Sequence, residues 1–517
     1  MNHIKHLAAV GALALAAVVP STAFAARPAP KVSPTGLSIQ APESAAAPSD
    51  PASPACSLTE PGAATVTYSS AWIHCYTPQQ IAAAYGVDVL HRAGNLGQGQ
   101  TIVLVDSYGT PTGAQDLQHF HDVFYPGLPK PDFEQACSGK CHDYNNTASG
   151  NGQSGPAAAA GWAGEANLDI EWAYAIAPRA HIVLLAVPPA ETEGVQGMPN
   201  LFKAMSDAVD TYPAGTVFSQ SFGVTEQTFG GAAATQTAKF DAIYKKGNAK
   251  GDSFLASSGD DGSFGVSKTH RDTGSYNYPT VGWPASSPYV TAVGGTQLQD
   301  GWTWNPTSDV PFFADGSFNP AYFASTAGAR TEPVWNESWL PAASGGGPSA
   351  IYPRPSWQKG VAIPGDHRGV PDLSWDAAVN GGVLVYTTFF PNVNRSGWHV
   401  YGGTSAASPQ VAGLVALANE QQRTAKQPPL GFLNPLIYAT GGDPSAFNDV
   451  VPITEGTAES GKLVDNRDWD YNGDGVAVTR DPVTGWPTTA GWDMTTGFGT
   501  PKAPGFVAAL RKARNGA

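Results

Sequence analysis

Two kinds of apolar pattern alternate along most of the chain. Short unbroken apolar runs recur at GQTIVLVDSYG (ending at Asp106), HIVLLAV (181–187), GTVFSQSFG (215–223), DSFLASSGD (252–260), YVTAVGG (289–295) and GVLVYT (382–387). Each is bounded by glycine or polar residues, which predicts buried strands. Helical spacing appears between several of them, in AQDLQHFHDVF, EANLDIEWAYAI, NLFKAMSDAVDTY and TAKFDAIYKKGNAK. Strands alternating with helices predict an α/β fold, a parallel sheet with helices on both faces. Sites in such sheets sit at the carboxyl ends of strands, and Ser405, Asp260 and the QSFG segment all fall at strand ends. TPQQIAAAYGV reads as a helix capped by Thr77 with Pro78 in its first turn. The glycines of GNLGQGQ precede a strand instead of following one, so they are not a dinucleotide fingerprint. There is no internal repeat, and 299–349 is a long insertion with little periodicity.

The first 25 residues read as a secretory signal: Lys5, an apolar AAVGALALAAVV, and an Ala23-Phe24-Ala25 cleavage site. No later stretch has the length of a bilayer span, so the expectation is an exported, soluble protein. Residues 26–55 are rich in Ala, Pro and Ser and are expected to be disordered. One domain is expected over 56–517. The formal net charge is −14, and losing the signal removes one lysine and no acid. With no Lys/Arg stripe, nucleic acid and anionic membranes are excluded as partners. Four cysteines in an exported chain suggest disulfides. Cys56–Cys75 and Cys137–Cys141 are the economical pairing, against free thiols or a metal site.

The segment GGTSAASPQ (402–410) looks like a strand turning sharply into a helix, with Ser405 at the mouth. A serine hydroxyl needs a base before it is a nucleophile. His399, six residues away along an extended segment, would stand about 20 Å off. His119 and His121, within a helical pattern, read as surface or packing residues. Carboxylates offer another answer. Glu165 and Asp169 are four apart, one turn along one helix face. Two adjacent carboxylates repel when both are ionised and can share a proton, so Glu165 could accept the serine proton while Asp169 orients it. The bland alternative is a solvated acidic face. Asp260 ends an apolar strand between glycines. Held neutral by burial and other carboxylates, it could donate a hydrogen bond to an oxyanion; otherwise it is a turn aspartate.

Taken in order, GEANLD, SQSFG, LASSGDDG, WPASSPYVTAVGGT, PDLSWDA, GGTSAASP and AGWDMTTGFGTP resemble the sedolisin family, serine-carboxyl peptidases with a subtilisin-like fold. The resemblance covers roughly residues 71–503. A lone GTSAASP would also suit true subtilisins; the E-x-x-L-D pair without their histidine motif separates the two. The resemblance implies Ser405 as nucleophile, Glu165 as general base, Asp169 as its orienting partner and Asp260 as the oxyanion acid. It also implies one calcium ion near the C-terminus, with Asp449, the Val450 carbonyl, Thr489 (where the family usually has Gly), the Gly491 carbonyl and Asp493 as its surroundings. A second calcium site around Asp468, Asp470, Asn472 and Asp474 would use the start of an EF-hand-like loop, although Thr479 stands where the loop's glutamate is expected.

Three departures accompany the resemblance. The family's large folded pro-domain is not matched before residue 56, Phe222 replaces a common tryptophan, and Asp261 replaces a common serine. An extended substrate would lie beside Ser221–Gly223 on one side and Ser344–Gly347 on the other. The resulting expectation is a secreted, acid-acting, monomeric endopeptidase with polypeptide substrates. The alternatives are a tripeptidyl-type exopeptidase and a catalytically weak peptide-binding homologue.

Overall fold

A computed structural model describes most of residues 74–516, except 145–155, 188–197, 266–275, 305–322, 338–341, 390–395, 455–461, 467–483 and a few single positions. It also describes short strands between 33 and 69. The expected signal (1–25) and the second calcium loop (468–474) lie outside the described residues.

The apolar runs form a seven-stranded sheet in the order Leu373–Asp376, Thr291–Thr296, Ser253–Ser257, Val217–Gln220, Thr101–Ser107, His181–Val187, Asp132–Cys137. Every neighbouring pair runs parallel. In the strand at 101–107, Ile102 and Leu104 enter one apolar core while Val103 and Val105 enter a second. Ile182 and Leu184 divide from Val183 and Leu185 in the same way. A two-residue side-chain period with apolar residues at every step requires cover on both faces, which is why these strands read as continuous runs. Pro156–Ile176 and Thr404–Thr424 supply the first cover, and Met198–Thr211 with Ala233–Lys250 supplies the second. The expected α/β architecture is therefore the observed one.

Three strand readings change in detail. Gly382–Thr387 is not in the parallel sheet. It pairs antiparallel with Gly397–Gly402, the strand that runs into Ser405, in a separate sheet. The run at 215–223 is two elements, because Phe222–Thr225 leaves the main sheet to pair with Gly282–Trp283. The insertion at 299–349 contains a hairpin of Gln299–Trp304 with Phe323–Thr331. The helix Pro78–Tyr85 has its expected start: Thr77 accepts from the Gln80 amide and the Gln80 side chain accepts from Thr77 N. Cys137 and Cys141 are bonded, with Cα atoms 5.1 Å apart. Cys75 is also disulfide-bonded, and its expected partner Cys56 lies outside the residues whose side chains are described. Among the described residues no helix is long and apolar enough to cross a membrane.

The helices carrying Glu165 and Ser405 pack directly on one another. Gly413 permits the crossing: a methyl group there would stand 2.6 Å from Cβ of Ile176 and 2.8 Å from its Cγ2. Ser408 and Ser219 share a hydrogen bond of 2.8 Å that ties the second helix to the central strand. Overpacking a close helix crossing typically costs about 1–3 kcal/mol. Gly413→Ala is therefore expected to lower the denaturant midpoint by an amount of that order at unchanged slope; an unchanged midpoint would show that the crossing has slack.

Candidate active site

The helix Pro156–Ile176 explains why its acidic pair is not a solvated face. Residues 163–176 are buried all round, with Ala163, Ala166, Leu168, Ile170 and Trp172 sealing the sides. A helix apolar on every side belongs inside the protein. Glu165 is 1% exposed and Asp169 not at all. Asp169 Oδ1 accepts a 2.8 Å hydrogen bond from Ser221 Oγ, at the carboxyl end of the central strand. Its other oxygen has no hydrogen-bond partner. Burial pushes the Asp169 carboxyl well above the usual carboxylate range, and the neighbouring charges of Asp106 and Glu165 push the same way against the Ser221 bond.

Asp106 is the residue that motif reading overlooked. It is the sixth residue of the apolar strand Thr101–Ser107, one strand over from Ser221. It is fully buried, and neither carboxylate oxygen has a hydrogen-bond partner. Burial raises its pKa to about 8. The signal that could have found it is the one that picked out Asp260: an acid ending an apolar strand. Phe222, where the resemblance leads one to expect tryptophan, is buried and brings no ring donor to this region.

Ser405 is the second residue of Thr404–Thr424 and is fully buried. Gly403 before it has φ +95°, a left-handed conformation that lets the strand break into the helix. Its amide donates to the Ala377 carbonyl at 2.6 Å. Pro409, four residues on, has no N–H to offer the Ser405 carbonyl. Asp260 lies 6% exposed beyond the strand Ser253–Ser257. Its Oδ1 accepts from Thr404 N and Thr404 Oγ1, both at 2.8 Å, and Thr404 Oγ1 in turn accepts from Gly259 N at 3.1 Å. The acid is thus anchored to the residue beside Ser405. Asp261 forms a parallel bridge with Ala343. The Ser344–Gly345 stretch runs alongside, Gly345 N donating to the Gly259 carbonyl at 2.8 Å. Asp260 is thus held at the start of the Ser405 helix, and Glu165 and Asp169 lie on the helix packed against it.

The histidines weighed as bases sit in apolar or aromatic surroundings. His399 is buried in the strand Gly397–Gly402, and His121 is buried against Tyr174, its Nδ1 within 2.6 Å of the phenol. His119 packs on the Tyr386 ring.

At the expected calcium position, Asp449 and Asp493 converge on one loop. Gly491 N donates to Asp449 Oδ2 and Thr489 N to Asp493 Oδ2, each at 2.8 Å. Gly491 has φ +80°. Asp493 Oδ1 also accepts from the amides of Thr495 and Thr496 at 2.9 and 2.8 Å. Two carboxylates held on one turn form a hard-oxygen donor set of the kind calcium takes. Among the described residues no group of three His, Cys, Asp or Glu side chains is placed to hold a metal, so an ion here would depend on backbone carbonyls for its remaining ligands.

The subtilase family model matches residues 115–430, more than half of the chain. Kumamolisin of Bacillus sp. (strain MN-32) is 31% identical over 440 residues, covering 82% of this chain and 62% of the relative. Sedolisin of Pseudomonas sp. (strain 101) is 28% identical over 435 residues, covering 82% of this chain and 59% of the relative. The chain thus spans about three fifths of the length of the curated relatives it matches. The solved structure of Pseudomonas sedolisin, described as a serine-carboxyl proteinase complexed with two molecules of pseudo-iodotyrostatin, superposes with a TM-score of 0.59 at 25% identity, covering 85% of this chain and 99% of that one. A parallel sheet shared with that structure, a strand-to-helix serine and buried carboxylates in place of histidine place the chain in the subtilase family, within its sedolisin branch.

Proposed function

We propose that this protein is an exported, acid-acting serine-carboxyl endopeptidase that uses calcium for stability. The observation that carries this reading is the burial of Glu165 and Asp169 on the helix packed against the Ser405 helix, with Ser221 oriented onto Asp169. A buried carboxylate pair next to a helix-mouth serine has the ingredients of a base that works without imidazole.

In this mechanism Asp169 keeps its proton, because burial and its acidic neighbours hold its pKa up, and it steadies the Glu165 carboxylate. Glu165 takes the Ser405 proton as Oγ bonds to the scissile carbonyl carbon. The tetrahedral intermediate's oxyanion accepts a hydrogen bond from neutral Asp260, and the N-terminal dipole of the Thr404–Thr424 helix favours the same charge. Glu165 then passes its proton to the leaving amine as the C–N bond breaks. Water repeats the cycle on the acyl-enzyme and returns Ser405. Each step needs Asp260 and the Glu165–Asp169 pair to hold their protons, so acid favours turnover.

Ser405→Ala, Glu165→Ala and Asp260→Ala should each lower kcat by about 10³-fold or more. Members of one catalytic unit are non-additive, so Ser405→Ala/Glu165→Ala should be little worse than either single change. His399→Ala should keep most of the activity. The mechanism fails if His399→Ala is dead while Glu165→Ala works. Mass spectrometry of fragments from one unfolded protein between pH 3 and 7 tests the mode of cleavage. Internal fragments support an endopeptidase, whereas serial loss of tripeptides from the N-terminus would support the exopeptidase reading.

Stability should follow pH through the same burial. The folded-state pKa of Asp106 is raised, so its contribution is fully present below its unfolded value, near 4, and is lost as pH rises through about 8. Wild-type denaturant midpoints should fall between pH 5 and 9, and Asp106→Asn should fall less. Parallel curves for the two proteins would remove Asp106 from this account.

For calcium, Asp449, Asp493 and the neighbouring carbonyls of Val450 and Gly491 would hold the ion, which would neutralise the two acids and stabilise the folded state. Added calcium should raise Tm near neutrality, the effect should shrink in acid as the carboxylates protonate, and Asp449→Ala should abolish the increment. An identical calcium increment in Asp449→Ala would place the ion elsewhere.

A further inference from the structure

The loop that carries Asp260 is built against a residue from much later in the chain. Gly262, the second glycine of GDDG, has φ +65°, and a methyl group there would collide with the Asn466 carbonyl. Glycine alone combines that conformation with so close an approach. Ser263 N donates to the same carbonyl at 2.9 Å. Asn466 itself is fully buried. Its Nδ2 donates to the Ser344 carbonyl at 2.9 Å and reaches the Gly346 carbonyl at 3.5 Å, while its Oδ1 accepts from Trp486 N at 2.8 Å. A backbone N–H can only donate and a carbonyl only accept, so these partners fix which way the amide faces. The stretch that Asn466 holds is in turn laced to the Asp260 loop. Ala343 N donates to the Asp260 carbonyl at 2.9 Å, Gly262 N to the Ala343 carbonyl at 3.0 Å and Gly345 N to the Gly259 carbonyl at 2.8 Å. A methyl group on Gly345 would collide with the Ser258 carbonyl. One residue therefore grips both stretches, 259–263 through its main chain and 343–346 through its side chain.

We infer that Asn466 is a positioning residue for Asp260, holding the backbone of the loop that aims this acid at the oxyanion; this rests on the peptidase reading above. The Asp260 carboxyl is tied to the Ser405 helix through Thr404. That contact fixes the tip of the side chain and leaves the loop behind it to be held by other groups. Asn466 is suited to the task because one planar amide carries an acceptor at one end and a donor at the other. Moving it would leave the Ser344 carbonyl and Trp486 N–H buried without their partner, which is costly inside a protein. A hydrogen-bond donor to an oxyanion acts only within a narrow range of distances, and a misplacement of about 1 Å can cost about 10²-fold in rate. A loop with slack would therefore lose turnover while the substrate still binds.

A double-mutant comparison in the full chain tests this, read with a fluorogenic peptide ester reactive enough to follow slow variants. With Asp260 in place, Asn466→Ala should lower kcat about 10–100-fold and leave KM within about twofold. In Asp260→Ala the donor is gone, so adding Asn466→Ala should change kcat by less than about threefold. Equal fold losses with and without Asp260 would overturn the proposal, and so would an unchanged kcat or a loss confined to KM. Asn466→Ser, which removes less volume, makes the same comparison if Asn466→Ala does not fold. Amide exchange of the full chain reads the loop independently of turnover. The amides of Gly262, Ala343 and Gly345 should exchange at least about tenfold faster in Asn466→Ala, with those of Ser253–Ser257 unchanged. Unchanged protection at the three amides would refute it. If the wild type cleaves neither peptide nor ester in acid, the peptidase reading fails, and the exchange alone decides whether Asn466 holds the loop.

Discussion

Acidic groups buried beside one another cannot all ionise, and the end of the sheet that holds Glu165, Asp169 and Asp106 is arranged around that limit. Glu165, Asp169 and Asp106 lie within a few per cent of zero exposure at one end of the central strands. Asp106 accepts no hydrogen bond, and Asp169 is bonded through one oxygen alone. Each charge taken out of water costs several kcal/mol unless it is paired or neutralised. Here neutralisation by protons is the available route, so the same burial that makes the sheet compact also raises the carboxyl pKa values. In the proposed mechanism this burial is what would give the serine a base whose protonation is set by its surroundings. Loosening the helix Pro156–Ile176 would let water in and lower those pKa values.

Much of this was legible in the sequence. The unbroken strands and the helices between them announced a sheet covered on both faces, and they form one. Ser405, Asp260, Glu165 and Asp169 were picked out by residue type, spacing and flanking glycines; they are buried on two packed helices and the strand-end loop bonded to Thr404. Spacing alone left a solvated acidic face open for Glu165 and Asp169, and burial of their helix closes that alternative. Asp106 was passed over because, unlike Asp260, it has no glycine next to it to mark a turn; its acidic neighbour Asp169 comes from a helix far away in sequence. Pairing was the other blind spot. Nothing local distinguishes Gly382–Thr387 from a strand of the main sheet, yet it pairs antiparallel elsewhere. The Ser33–Gln40 strands have the composition of a flexible linker, and only long-range register shows where they pair.

The surroundings of Ser221 and Ser405 follow from strands that end early. Val217–Gln220 stops after four residues, and the chain re-emerges as Phe222–Thr225 in another sheet. That break sets Ser221 on Asp169. The strand Gly397–Gly402 likewise ends at a left-handed glycine, so its last residues and the helix mouth face the same space. Both breaks depend on residues that offer little local stability.

The contact between Gly413 and Ile176 has a consequence for how sequences of this fold can diverge. Those positions touch across the two helices that carry the nucleophile and the carboxylates. Added bulk on one side must be matched by lost bulk on the other, or the helices separate and the distance between the reacting groups changes with them. Residues 176 and 413 therefore behave as one combined volume, and drift at either is confined to paired exchanges that conserve it. The placement of Ser405 against Glu165 and Asp169 is in this way tied to two apolar positions with no polar group of their own.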